Sequence, residues 1–213
     1  MSLTIHYDLQ SDLPSATEIR QLVEGLRTKA LELPFKAVGE VVEFVGAAAD
    51  YEHYKHSDSL PWLLRQAVEV IWSDDNPHFD VKPEHVIAFS TNPGDGSNAA
   101  SFGLALHPAS IHTGLHGWSW GGYCRTVSAS QPDCGGMENF LRCHIAIVKL
   151  LDHVDELGIV KEVLDEGTYW EKRNIQELAG EVTRWNYLLA GVTDQSIVEA
   201  EIAKLPNYEY LEA

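Results

Sequence analysis

Residues 96–132 contain a single formal charge, Arg125, in a chain in which 22% of all residues are charged. The stretch is rich in glycine, histidine and aromatic residues, and it includes Cys124. Charged side chains are rarely buried without a partner, so a long run without carboxylates either packs in the interior or lines a site. This stretch therefore indicates both the centre of the fold and the region most suited to function.

The charge balance restricts the partners. The formal net charge is −17 over 213 residues, and the basic residues are scattered without a local patch. Such a chain repels phosphate backbones, so we predict no nucleic-acid binding, while a basic protein partner or a metal cation remains open.

Hydropathy and cysteine usage indicate the compartment. No window approaches 18 uncharged apolar residues, so we predict no membrane span, and the first residues lack the pattern of a signal peptide. Three cysteines are an odd number, which favours reduced thiols and a cytoplasmic location.

Periodicity predicts the element order β-α-β-α-β-β-β-α-β-α-α. Alternation predicts a first strand at 3–9, and Ser15 with Glu18 has the spacing of a capping box that starts a helix to Leu33. A strand over 35–45, a helix over 61–72, an antiparallel meander within 86–130 and a long helix over 137–157 follow. We predict one α+β domain over residues 1–213, with a mixed or antiparallel sheet of about five or six strands and about four or five helices.

Two groups of residues have ligand types that zinc prefers. The first is Cys124, Cys134, Cys143 and His144, although its cysteines are ten and nine residues apart and the last two side chains diverge on a helix. The alternative is that Cys143 packs as a small apolar residue and His144 is a hydrogen-bonded core histidine. The second group is His107, His112 and His116, and its alternative is a glycine-rich loop with hydrogen-bonding histidines.

A thiol nucleophile is a further hypothesis. Cys134 precedes Gly135 and Gly136 at the predicted start of the long helix, where free N–H groups and the helix dipole lower a thiol pKa. His107, or one of the two histidines that follow it, would complete a dyad. The alternative is a cysteine that fills a tight loop.

Two charged features are also candidates. Asp165, Glu166 and Glu171, followed by Arg173, could perform acid–base chemistry or bind a cation, with Glu166 as the catalytic candidate, although such carboxylates are more often a solvated loop. Arg125 either pairs with Glu166 or Asp133, which is the commoner case, or binds an anionic ligand.

Three pieces of sequence form a wider pattern. They are Tyr123-Cys124-Arg125-Thr126, Phe140-Leu141-Arg142-Cys143-His144 and the Asp-Glu-Gly-Thr-Tyr-Trp-Glu run at 165–171. Together, within about residues 85–190, they resemble a family of uncharacterised bacterial proteins. The resemblance implies no activity, cofactor or partner; it implies only that the pieces form a shared unit.

Three functions are compatible with these features. The first is a non-catalytic binding or regulatory protein, whose aromatic, His-containing pocket takes a small-molecule ligand or a basic protein partner. The second is a metal- or Cys/His-dependent hydrolase-like enzyme, and the third is an assembly subunit, with a homodimer as its simplest form. The cofactor is left open. The predicted ligand-binding residues are His107, His112, His116, Trp118, Trp120, Tyr123, Arg125 and Glu171.

Overall fold

The fold is built on an antiparallel sheet. The computed structural model describes residues 3–54, 60–71, 79–109 and 117–212. The strands of the main sheet are β1 (Thr4–Ser11), β2 (Ala37–Val38), β3 (Val42–Val45), β6 (His85–Asn92), β7 (Ala100–Leu106), β8 (Trp118–Arg125) and β9 (Val160–Asp165). Their order is β2-β6-β7-β8-β1-β9, and β3 also pairs with β6. A separate two-stranded ribbon joins β4 (Glu69–Ile71) to β5 (Phe79–Val81).

Helices cover one face of the main sheet and part of the other. They are α1 (Ala16–Glu32), α2 (Leu60–Gln66), α3 (Gly136–Glu156), α4 (Tyr169–Lys172), α5 (Ile175–Leu189) and α6 (Gln195–Ile202). The inner face of β1 presents Ile5, Tyr7 and Leu9, all at most 1% exposed, to the core that α1 and α3 complete. On the outer face α2 places Trp62 against Tyr123 of β8. Within the described ranges, no helix is long and apolar enough to cross a membrane.

The fold class is confirmed as α+β, with every pairing of the main sheet antiparallel. Strands β6, β7 and β8 form the expected meander. The predicted cap of α1 is present, because the Glu18 N–H donates to Ser15 Oγ and the Ser15 hydroxyl donates to the Glu18 carboxylate.

Two element predictions were wrong. The helix expected over 61–72 ends at Gln66, and the next apolar residues form β4 instead, since a short apolar run fits either structure. The strand expected over 35–45 is divided into β2 and β3 around Gly39, whose N–H donates to Ser90 O at 2.8 Å.

Candidate functional site

An open cavity lies on the outer face of β8, β1 and β9. Its volume is about 440 Å³, which is within the range of small-ligand pockets. Its walls include His6 and Asp8 from β1, Tyr123 from β8, and Glu162 and Leu164 from β9. These side chains share the cavity because alternate residues of a strand face the same side of the sheet and the three strands are neighbours. We call this cavity the open-face cavity.

Two glycines form the floor of the open-face cavity. A Cβ on Gly122 would lie 2.2 Å from Cε2 of the Tyr7 ring, so the position can hold no side chain. The ring itself is fixed, because its hydroxyl donates to Ser101 O at 2.7 Å and it stacks on Phe102 with a centroid separation of 4.9 Å. At Gly121, which lies opposite Asp8, the absence of a side chain leaves the carboxylate open to the cavity.

Carboxylates face each other across the two strands at the cavity wall. Asp8 of β1 lies directly opposite Glu162 of β9, and Glu69 of β4 also acts on the Asp8 charge. Partial burial raises the pKa of Asp8, and the negative charges of Glu69 and Glu162 raise it further against the opposing effects of Lys161 and His6. Directly opposed like charges are unfavourable in a sheet, so this contact costs some stability and would be relieved by a cation between the two carboxylates.

Aromatic rings border the carboxylates. The ring of Tyr123 lies 6.0 Å from that of His6, and the Trp62 indole meets Tyr123 edge-on at 5.7 Å. Trp62 is 38% exposed and packs against Tyr123 without belonging to the residues that line the cavity. Aromatic faces next to carboxylates attract cations by two independent mechanisms, ring quadrupole and formal charge.

His107 belongs to a polar group behind this wall. It is 3% exposed, its Nε2 lies 2.8 Å from Ala67 O, and its Nδ1 lies 3.4 Å from Ser119 Oγ. The Ser119 hydroxyl donates to Glu69 Oε1 at 3.2 Å. His107 thus packs as a core histidine whose Nε2–H donates to Ala67 O. His112 and His116 lie outside the described residues, so the three-histidine metal site stays a prediction.

A second group of polar side chains is completely buried. Oγ1 of Thr126 lies 3.0 Å from Nδ1 of His144, and Nε2 of His144 lies 3.0 Å from Oδ2 of Asp165. The N–H groups of Gly167 and Trp170 donate to the same carboxylate at 2.8 and 2.9 Å. Thr126 and His144 are 0% exposed and Asp165 is 2% exposed, so this chain of hydrogen bonds fixes the fold and has no access to a substrate.

This buried chain joins the three pieces of the sequence pattern. Thr126 ends the first piece, His144 ends the second and Asp165 begins the third. The description of 165–171 as a solvated loop was therefore wrong for Asp165, because backbone N–H groups and an imidazole compensate its burial. The interpretation of His144 as a hydrogen-bonded core histidine matches the geometry, and Cys143 beside it is buried among apolar residues.

Asp165 makes the stability of the fold sensitive to acid. Burial raises the pKa of Asp165, but the hydrogen bond and charge interaction with His144, with the N–H groups of Trp170 and Gly167, lower it further, so the net pKa lies below the ordinary value. Its stabilisation is present above the unfolded-state pKa of about 4 and is lost as pH falls through the folded value. We expect an Asp165→Asn variant to show a shallower loss of stability below about pH 4 than the wild type in urea unfolding at a series of pH values. Identical slopes would contradict this role.

The cysteine hypotheses do not fit the structure. Both ring nitrogens of His144 already have protein partners, and the described residues contain no cluster of three or more His, Cys, Asp or Glu side chains suited to a metal ion. The four-ligand zinc site is therefore wrong. Cys134 also departs from expectation, since desolvation and the negative charges of Asp133 and Asp95 raise its pKa. His107, whose ring contacts Ala67 and Ser119, is not its partner.

The other predicted residues occupy separate places. Trp118 and Trp120 are core residues, 4% and 1% exposed, and the Trp120 indole N–H donates to Ser101 O at 2.9 Å. Arg125 is exposed and forms no ion pair with the described residues, so its expected pairing with Glu166 or Asp133 was wrong.

The carboxylates after Asp165 lie away from the open-face cavity. Glu166 accepts a hydrogen bond from the Thr4 N–H at 2.9 Å, and Glu171 is exposed on α4. Arg173 forms a bidentate pair with Asp152 at 2.6 and 2.7 Å. Of the eight residues predicted to bind ligand, Tyr123 is the one that the described structure places in the cavity wall.

Sequence reasoning missed His6, Asp8 and Glu162. His6 and Asp8 could have been found, because the alternation that predicted β1 also places the polar residues of this strand together on its outer face. Glu162 gave no such signal, since its position opposite Asp8 depends on the register in which β9 pairs with β1.

Comparisons with models of protein families, with curated proteins and with solved structures found no match to this chain. The fold and the site define an antiparallel α+β protein with an acidic and aromatic cavity on its open sheet face.

Proposed function

We propose that this protein is a non-catalytic binding protein, and that the open-face cavity takes an organic cation with an ammonium or guanidinium group. The observation that carries the proposal is the pair of carboxylates, Asp8 and Glu162, facing each other at the wall of a 440 Å³ cavity. A cation between them converts an unfavourable repulsion into two charge-assisted contacts.

The surroundings of the carboxylates favour an organic cation. Tyr123 and His6 supply ring surface beside the charges, and Trp62 packs edge-on against Tyr123. Leu164 adds apolar surface at the opposite wall and is 57% exposed. An alkylammonium or guanidinium group combines a positive end with an apolar stem, so both kinds of surface contribute to its binding.

Loss of the Asp8 charge has opposite effects on binding and on stability. We expect Asp8→Asn to weaken binding of Nα-acetyl-lysinamide by about tenfold, because the site loses one of its charges. The same change should raise the free energy of unfolding by a few tenths to about 1 kcal/mol, because it removes a like-charge contact within the sheet. Calorimetric titration and urea unfolding measure the two quantities.

Glu171→Gln is the matched control for the Asp8 variant, since it removes an exposed carboxylate on α4, away from the cavity. Binding should be unchanged in this control. Equal weakening in both variants would show that the net charge of −17, and not the cavity, attracts the cation.

The direction of the Asp8 pKa gives the cation site a pH dependence. A raised pKa means that Asp8 takes up a proton at a higher pH than an ordinary aspartate, and the neutral form no longer attracts the ligand. Binding therefore weakens on acidification before ordinary carboxylates titrate.

All three cysteines are free thiols, which supports the further proposal that the protein works in the reducing cytoplasm.

A further inference from the structure

One wall of the open-face cavity is an edge of the main sheet. Strand β9 is the last in the sheet order, pairs with β1 on one side, and has no described strand on the other. The Glu166 N–H donates to Thr4 O, so alternation along the strand turns the N–H and C=O of Val163 toward the free side. Such an edge can accept an added strand through main-chain hydrogen bonds.

The edge and the cavity are continuous. Glu162 and Leu164 belong to β9 and also line the open-face cavity. In a strand added at this edge, the residues opposite these two would face the same side of the sheet. A lysine or arginine opposite Glu162 therefore lies next to that carboxylate and extends over the sheet toward Asp8, one strand further in.

The negative charge of the cavity determines which kind of strand can add to β9. A second copy of this chain would bring another acidic cavity beside the first, and two chains of net charge −17 repel each other. A basic segment has the opposite charge to Asp8, Glu69 and Glu162, so its association is favoured.

We propose that the natural occupant of this site is an extended basic segment of a partner protein, which adds to β9 as a further strand and places a lysine or arginine side chain in the open-face cavity. This inference rests on the proposed function, since it identifies the organic cation as a side chain of a polypeptide.

The test compares three probes by calorimetric titration. The first is a seven-residue peptide of alternating valine and lysine, the second is the same peptide with N-methyl groups on alternate backbone nitrogens, and the third is Nα-acetyl-lysinamide. Strand addition uses the backbone as well as one side chain, so we expect the first peptide to bind at least about tenfold more tightly than the other two. Asp8→Asn should weaken binding of all three probes.

The outcomes separate the two proposals. Equal affinity for the plain and N-methylated peptides, with Asp8→Asn weakening both, would overturn strand addition. The site would then bind a cationic side chain without main-chain hydrogen bonds. Failure of all three probes to bind would overturn the cation site as well. A fourth probe, a seven-residue peptide of alternating valine and glutamate, tests the charge: binding equal to that of the valine–lysine peptide would overturn the role of charge in selecting the partner.

Discussion

Replacing His144 by alanine is expected to lower the free energy of unfolding by about 3–5 kcal/mol. The imidazole links Thr126 to Asp165 in a completely buried chain, so its removal leaves a carboxylate and a hydroxyl without this partner in the interior. The N–H groups of Gly167 and Trp170 remain, but they already donate to the carboxylate and cannot replace the contact that the imidazole makes with Oδ2. Urea unfolding followed by far-ultraviolet circular dichroism measures the change.

His153→Ala is the matched control for this variant. His153 lies on the same helix, α3, but its contact with Glu156 at 3.3 Å is partly exposed. Exposed pairs contribute about 0–1 kcal/mol, so this control should remain close to the wild type. If His144→Ala lost no more stability than the control, the buried chain would not hold the fold together.

Replacing Gly103 by alanine is expected to destabilise the fold by at least about 1–3 kcal/mol. Gly103 of β7 lies opposite Ala88 of β6, and an added Cβ would lie 2.3 Å from the Ala88 Cβ and 2.4 Å from Ile87 O. One of these obstacles is backbone of a central strand, so β6 and β7 would have to separate locally. The midpoint of urea unfolding reports the effect.

Gly25→Ala is expected to stabilise the fold in the same urea-unfolding assay. Gly25 lies on the exposed side of α1, and a Cβ there would meet no atom within 4 Å. Alanine is favoured over glycine in a helix interior by about 0.5–1 kcal/mol, so this variant should be more stable than the wild type. Equal effects of the two glycine substitutions would contradict the close approach of β6 and β7.

The fold could be predicted from the sequence where local signals agreed. Alternation in β1 and the Ser15 cap of α1 identified both elements, because backbone geometry and capping depend on neighbouring residues. The prediction that the helix continues beyond Gln66 was wrong, because the structure of the next apolar run depends on tertiary pairing. This run forms β4 by pairing with β5.

The site was less predictable, because its residues come from distant parts of the chain. Tyr123 was found from the aromatic composition of the uncharged stretch. Glu162 required the register of β9 on β1, and Glu69 required the placement of β4, and a single sequence gives neither. Of the two alternatives for the uncharged stretch, burial holds for residues such as Trp120 and Phe102, while the charges of the cavity come from outside the stretch.

The most direct test of the cation site is to follow the backbone amide resonances of the protein by nuclear magnetic resonance during titration with Nα-acetyl-lysinamide. We predict that the amides of Gly121 and Gly122 on the cavity floor shift with those of Tyr123, His6 and Glu162 in one saturable process. Saturable shifts confined to the separate apolar pocket at Trp185 and Leu188, or no saturable shifts at all, would contradict it.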